Sequence, residues 1–74
     1  MTFEELNDLA APEGFRPFAI VTQGGLRVEI PHPEFIDIPP EGASFVTVYR
    51  TSRSRIPRLI DLNAIDHIDH EVKP

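Results

Sequence analysis

The sequence predicts a mainly β fold, α+β by element count. A short N-terminal helix is followed by a five-stranded antiparallel sheet curled into a small barrel, all in one domain spanning residues 1–74. Three observations predict this. Helical spacing of apolar residues is confined to the start of the chain. After Phe15 the apolar residues come in short β-branched and aromatic runs closed off by glycine and proline. A small sheet of short strands also leaves fewer open edges when it curls.

Thr2-Phe-Glu-Glu5 has the spacing of a capping box, with Thr2 as N-cap and Glu5 three positions on. Phe3, Leu6 and Leu9 or Ala10 recur at helical spacing, and Pro12 and Gly14 end the run, which predicts a helix over 3–10. Phe15–Thr22 and Leu26–Ile30 flank Gln23-Gly24-Gly25 and read as a hairpin. Parity selects its loop. A two-residue loop would set Arg27 and Glu29 on the face of Phe18 and Ile20. A three-residue loop, 23–25, keeps Phe18, Ile20, Leu26, Val28 and Ile30 on one apolar face. The paired glycines supply the positive φ that this turn requires. Ala19 and Val21 then share the second face with Arg27 and Glu29. That face is only partly polar, so a cover is expected, and the helix stripe of Phe3, Leu6 and Leu9 is the candidate.

Pro31 and Pro33 flank His32. Proline cannot donate to a sheet ladder, and it drives its predecessor to extended backbone, so the pair ends the second strand and turns the chain. Phe35–Ile38 resumes with β-forming residues, and Pro39-Pro40 stops it. Glu41–Ala43 is a turn. Ser44–Arg50 is a strand with Val46 and Val48 on one face and Phe45, Thr47 and Tyr49 on the other. Thr51–Arg55 is a polar loop and Pro57–Leu62 a strand that begins at a proline. Asn63-Ala64 is a short corner. Ile65–Val72 is a polar last strand, expected at an edge.

This layout resembles the Sm-like (SH3-like) small barrel, in which a helix precedes five bent strands with a tight corner between the last two. Leu59-Ile-Asp-Leu-Asn-Ala-Ile-Asp-His-Ile68 is similar to the closing strands of such barrels. The acid-and-asparagine loop of Sm RNA-binding sites is absent after the second strand. More locally, Phe15-Arg-Pro-Phe18, Gly24-Gly25 and His32-Pro-Glu-Phe35 resemble an RPF…G…HPEF pattern of small uncharacterised bacterial proteins. That resemblance covers about half the chain and implies a bacterial source and no known activity.

A chain of 74 residues buries a small fraction of its surface, so its margin over conformational entropy is thin. With no cysteine, disulfides and thiolate metal sites are excluded. Good packing, oligomerisation or an oxygen/nitrogen metal site are left. The acidic start MTFEELNDLA does not read as a secretory signal, and no apolar run approaches a membrane span. The expectation is a cytoplasmic protein with no membrane partner. A net charge of −5 argues against a sequence-independent grip on nucleic acid.

Four candidate sites emerge. His32 and Glu34 on a rigid proline loop have the chemistry of a base or ligand, but the sequence supplies no oriented partner, and punctuation between strands is the favoured reading. His67, Asp69 and His70, in Asp66-His-Ile-Asp-His-Glu71, have the donor types for zinc, nickel or manganese. The favoured reading is a charged edge strand that deters aggregation. Arg50, Arg53, Arg55 and Arg58 are four of the seven basic residues and surround Thr51, Ser52 and Ser54, a pattern suited to phosphate oxygens. The favoured reading is a solvated hairpin loop whose arginines pair with the acidic residues. Val21, Phe45 and Tyr49 form a surplus apolar face, which marks contact with a partner or a second copy.

No nucleophile frame or phosphate-binding glycine fingerprint is present. The sequence therefore predicts a non-enzymatic small barrel without a cofactor, self-associating or binding a protein. An oligomeric RNA- or DNA-binding protein using residues 50–58 is the first alternative. A metal-dependent activity at the C-terminal histidines, with His32 as a further candidate, is the second.

Overall fold

Thr2 starts the first element as its spacing predicts. In the computed structural model, which describes residues 2–38, 42–49 and 58–72, helix α1 runs Phe3–Ala10. Thr2 Oγ1 accepts from the Glu5 backbone N–H at 3.2 Å, and the Thr2 hydroxyl donates to Glu5 Oε1 at 3.0 Å. The Glu5 N–H, one of the donors left unpaired at the helix start, is thereby satisfied. Only Leu6 of the helix is fully buried. Phe3, Leu9 and Ala10 pack half-buried against the core beside it.

Six strands follow: β1 (Phe18–Thr22), β2 (Arg27–Ile30), β3 (Ile36–Asp37), β4 (Phe45–Val48), β5 (Arg58–Asp61) and β6 (Ile65–Asp69). They form two antiparallel three-stranded sheets, ordered β2-β1-β6 and β3-β4-β5. The β1–β2 register pairs Phe18 with Ile30 and Ile20 with Val28, even with even. Thr22 N–H donates to the Leu26 carbonyl at 2.9 Å, so the loop is residues 23–25, with Gly25 at a φ of 89°. The first strand begins at Phe18, three residues later than predicted, because Pro17 has no N–H to give to a ladder.

The core lies between the inner faces of the two sheets. One sheet contributes Phe18, Ile20, Val28, Ile30 and Ile65; the other contributes Ile36, Val46, Val48 and Ile60; Leu6, Phe35 and Leu62 complete the buried cluster. Among the described residues no polar or charged residue is buried. Leu6 enters this inner core, so α1 does not cover the second face of the hairpin. The expected cover is corrected on that point.

The predicted single five-stranded sheet is also corrected. Pro31 and Pro33 break the ladder after Ile30, and Pro33–Phe35 form one turn of 3-10 helix. Ile36–Asp37 is therefore a separate strand, in the other sheet. A second 3-10 turn, Leu62–Ala64, does the same between β5 and β6. Asp61 caps it by accepting from Asn63 N–H at 2.8 Å. The β1–β2 turn is tied to this corner. Gln23 N–H donates to the Ala64 carbonyl at 2.9 Å, and Gln23 Nε2 to the Asn63 carbonyl at 3.3 Å.

β6 holds a bulge. Val21 pairs with His67 while Thr22 pairs with Ile65, which leaves Asp66 as the extra residue. Strict alternation would set Ile65 and Ile68 on opposite faces. The bulge turns both inward, Ile65 buried and Ile68 half-buried against the core.

Candidate interaction surface

The outer face of β3-β4-β5 is built from the odd positions of β4 and β5. Val46 and Val48 face the core with Ile60, so Phe45, Thr47 and Leu59 face out. Thr47 is directly opposite Leu59 and Phe45 opposite Asp61, which makes Phe45 and Leu59 diagonal neighbours. Leu59 is 66% exposed and Phe45 41% exposed. Tyr49, half-buried, continues the row, and its N–H donates to the Phe35 carbonyl at 2.8 Å. Asp37 and Asp61, both exposed, lie at the margins of this apolar strip.

The sequence names Phe45 and Tyr49 for this surface and misses Leu59, its most exposed member. The signal was there: Ile60 and Leu62 share one face of the strand, so Leu59 must take the other. Val21, grouped with them by sequence, belongs elsewhere. It lies on the outer face of the opposite sheet, paired with Arg27 and His67. The three predicted residues therefore do not form one surface, because the core separates their faces.

On Val21's face the cover is ionic. Arg27 on β2 reaches across β1 to Asp69 on β6, with Arg27 Nη1 2.5 Å from Asp69 Oδ2. Arg27 Nη2 also donates to the Glu71 carbonyl at 3.3 Å, and Glu71 N–H donates to Asp69 Oδ1 at 2.9 Å. Ala19 is opposite Asp69, Val21 is opposite Arg27, and the pair spans the strand between them. Ala19 is fully buried and Val21 half-buried. The Glu71 N–H and then the Arg27 guanidinium hold the Asp69 carboxyl below the usual carboxylate range, and the bond to Asp69 raises Arg27.

The histidines are dispersed. His67 Nδ1 is 2.7 Å from Asp66 Oδ2, Asp69 is committed to Arg27, and His70 follows the end of β6. Among the described residues no three histidine, aspartate or glutamate side chains gather as a metal site. His32 is exposed with its ring 6.0 Å from that of Phe35, and it borders an open groove with Pro33 and Glu34. Of the four arginines, Arg58 alone is described; Arg50, Arg53 and Arg55 lie outside the described residues. Arg58 lines a cavity of about 210 Å³ with Leu26, Arg27, Val28 and Glu29, along the outer edge of β2. Among the described residues no helix is long and apolar enough to cross a membrane.

No family model matches the chain, and no curated protein or solved structure matches it significantly.

Proposed function

We propose that this chain is a non-enzymatic small β module that works by contacting a protein, a second copy or a different chain, through the outer face of β3-β4-β5. The observation that carries the reading is the adjacency of Phe45 and Leu59, two large apolar side chains exposed side by side on one sheet face. Covering such side chains completely is worth about 1.5–3 kcal/mol each, and apolar strips of this kind mark contact sites. Two structural features support the barrel form of the module. With β2 and β3 counted as one strand bent at Pro31–Phe35, the chain has a helix, five bent strands and a tight corner between the last two. The two sheets also share one core. The likeness to small bacterial proteins with an RPF…G…HPEF pattern fits a module of this size.

Light scattering and retention of partner proteins on immobilised chain, compared between wild type and the Phe45→Glu/Leu59→Glu double variant, test the reading. Both side chains are exposed enough for the variant to fold, which circular dichroism checks. The expected result is association in the wild type that the variant loses. Association untouched by the substitutions would overturn the choice of face. A wild-type sample that carries nucleic acid released by salt would instead favour the arginine segment 50–58.

A further inference from the structure

The apolar pair on the outer face of β3-β4-β5 is set between two carboxylates. The registers place Asp37, Thr47 and Leu59 in one row across the three strands, and Phe45 and Asp61 in the next row along. Asp37 and Asp61 therefore lie on opposite sides of the Phe45–Leu59 diagonal, about 12 Å apart for a strand spacing of about 4.8 Å and a rise of about 3.4 Å per residue. Both are exposed, and no ion pair joins either of them to another described residue. The arginines among the described residues lie elsewhere. Arg27 is on the outer face of the opposite sheet, bound to Asp69. Arg58 is opposite buried Val48, on the core-facing parity of β5, and borders the cavity beside β2. Arg16 precedes β1, a strand of the other sheet. The face thus combines exposed apolar surface with charge of one sign, on a chain whose net charge is −5.

We infer that the occupant of this face is a segment of a different protein whose apolar side chains are flanked on both sides by lysine or arginine. Phe45 and Leu59 take its apolar part, and Asp37 and Asp61 take the flanking charges. The inference rests on the contact face proposed above and chooses between its two occupants. A second copy docked face to face about a twofold axis would bring both copies' Asp37 and Asp61 into one interface, with no described arginine on either face. Like charges brought together at a contact oppose association. A basic segment meets the same two carboxylates with opposite charge, and the net negative charge of the chain steers it inward. A phosphate backbone is repelled by the same groups. Exposed ion pairs contribute little each. The apolar pair therefore supplies most of the affinity, and the carboxylates select the partner.

Fluorescence anisotropy with the full chain and three short labelled peptides tests this. The first peptide has a Leu-Ile-Phe core between paired lysines, the second has glutamate in place of lysine, and the third has serine in place of the apolar core. The first is expected to bind, more weakly as salt rises, and the other two are not. Asp37→Asn/Asp61→Asn is expected to weaken its binding about fivefold or more, and Phe45→Ser/Leu59→Ser to abolish it. An amide at position 61 keeps the oxygen that accepts from the Asn63 N–H, and Asp37→Asn alone lies away from that corner. Failure of the first peptide to bind would overturn the inference. So would equal binding of the lysine and glutamate peptides, or binding indifferent to the two carboxylates, while loss through Phe45→Ser/Leu59→Ser would keep the contact face. A first peptide held equally by the Phe45→Ser/Leu59→Ser variant would overturn both. Self-association by light scattering that this variant loses, with no peptide bound, would overturn the basic partner and make a second copy the occupant.

Discussion

Asp69 shows how a single half-buried side chain can hold an arrangement that its own strand does not specify. Its carboxylate binds the Glu71 N–H and the Arg27 guanidinium, both of which favour the charged form. Its pKa is lower in the folded chain than in the unfolded one, so its contribution is present above the unfolded value and is lost as pH falls through the folded one. Urea midpoints measured from neutral pH into acid are expected to decline more steeply for the wild type than for Asp69→Asn, and the two curves converge at low pH. Parallel curves would show that the clamp adds nothing. The two glycines of the hairpin differ in the same local way. Gly25 has a φ of 89°, whereas Gly24 has ordinary backbone, and a Cβ there would meet nothing closer than Thr22 Oγ1 at 3.9 Å. Gly25→Ala is expected to cost about 1–2 kcal/mol, and Gly24→Ala less than about 0.5 kcal/mol, by urea denaturation.

Among the elements, α1 is attached most economically. One buried side chain, Leu6, seats it, with Phe3, Leu9 and Ala10 at its flanks. Leu6→Ala is expected to cost about 2–5 kcal/mol in urea unfolding, with loss of helical ellipticity before the sheets melt. The start and end of this helix were legible in the sequence because capping and termination are local. So was the three-residue hairpin loop, since parity is a rule about neighbours. The β6 bulge was not legible. Nothing in Ile65-Asp-His-Ile announces an extra residue, and Asp66 is displaced only because Ile65 and Ile68 must both reach a core made by other strands. The late start of β1 was readable at Pro17, whose missing N–H marks where the ladder can begin.

In the whole molecule, two sheets meet over one core, and every charged side chain among the described residues stays out of it. The apolar residues that build this core were legible, because alternation puts Val46, Val48, Val28 and Ile30 on inner faces wherever the strands go. Which strands share a sheet was not. The proline break after Ile30 and the 3-10 corner after Asp61 move the chain between layers, and a break reads the same whether the next strand pairs with the last or departs from it. For that reason the sequence groups Val21 with Phe45, although the core lies between them, and leaves out Leu59 beside it.

The strand order also sets a timetable. β1 is the middle of its sheet, and its partners are β2, made directly after it, and β6, made last among the strands described. As the chain leaves the ribosome the first hairpin can close at once, but the edge of Ala19 and Val21 waits for His67 and Asp69. Throughout that interval the nascent chain shows an unpaired, partly apolar strand edge, the kind of surface on which two growing chains stick. The final strand of this fold therefore acts as its release step from that hazard, and a slow or stalled reading of its codons would lengthen the exposure without altering one contact in the finished protein.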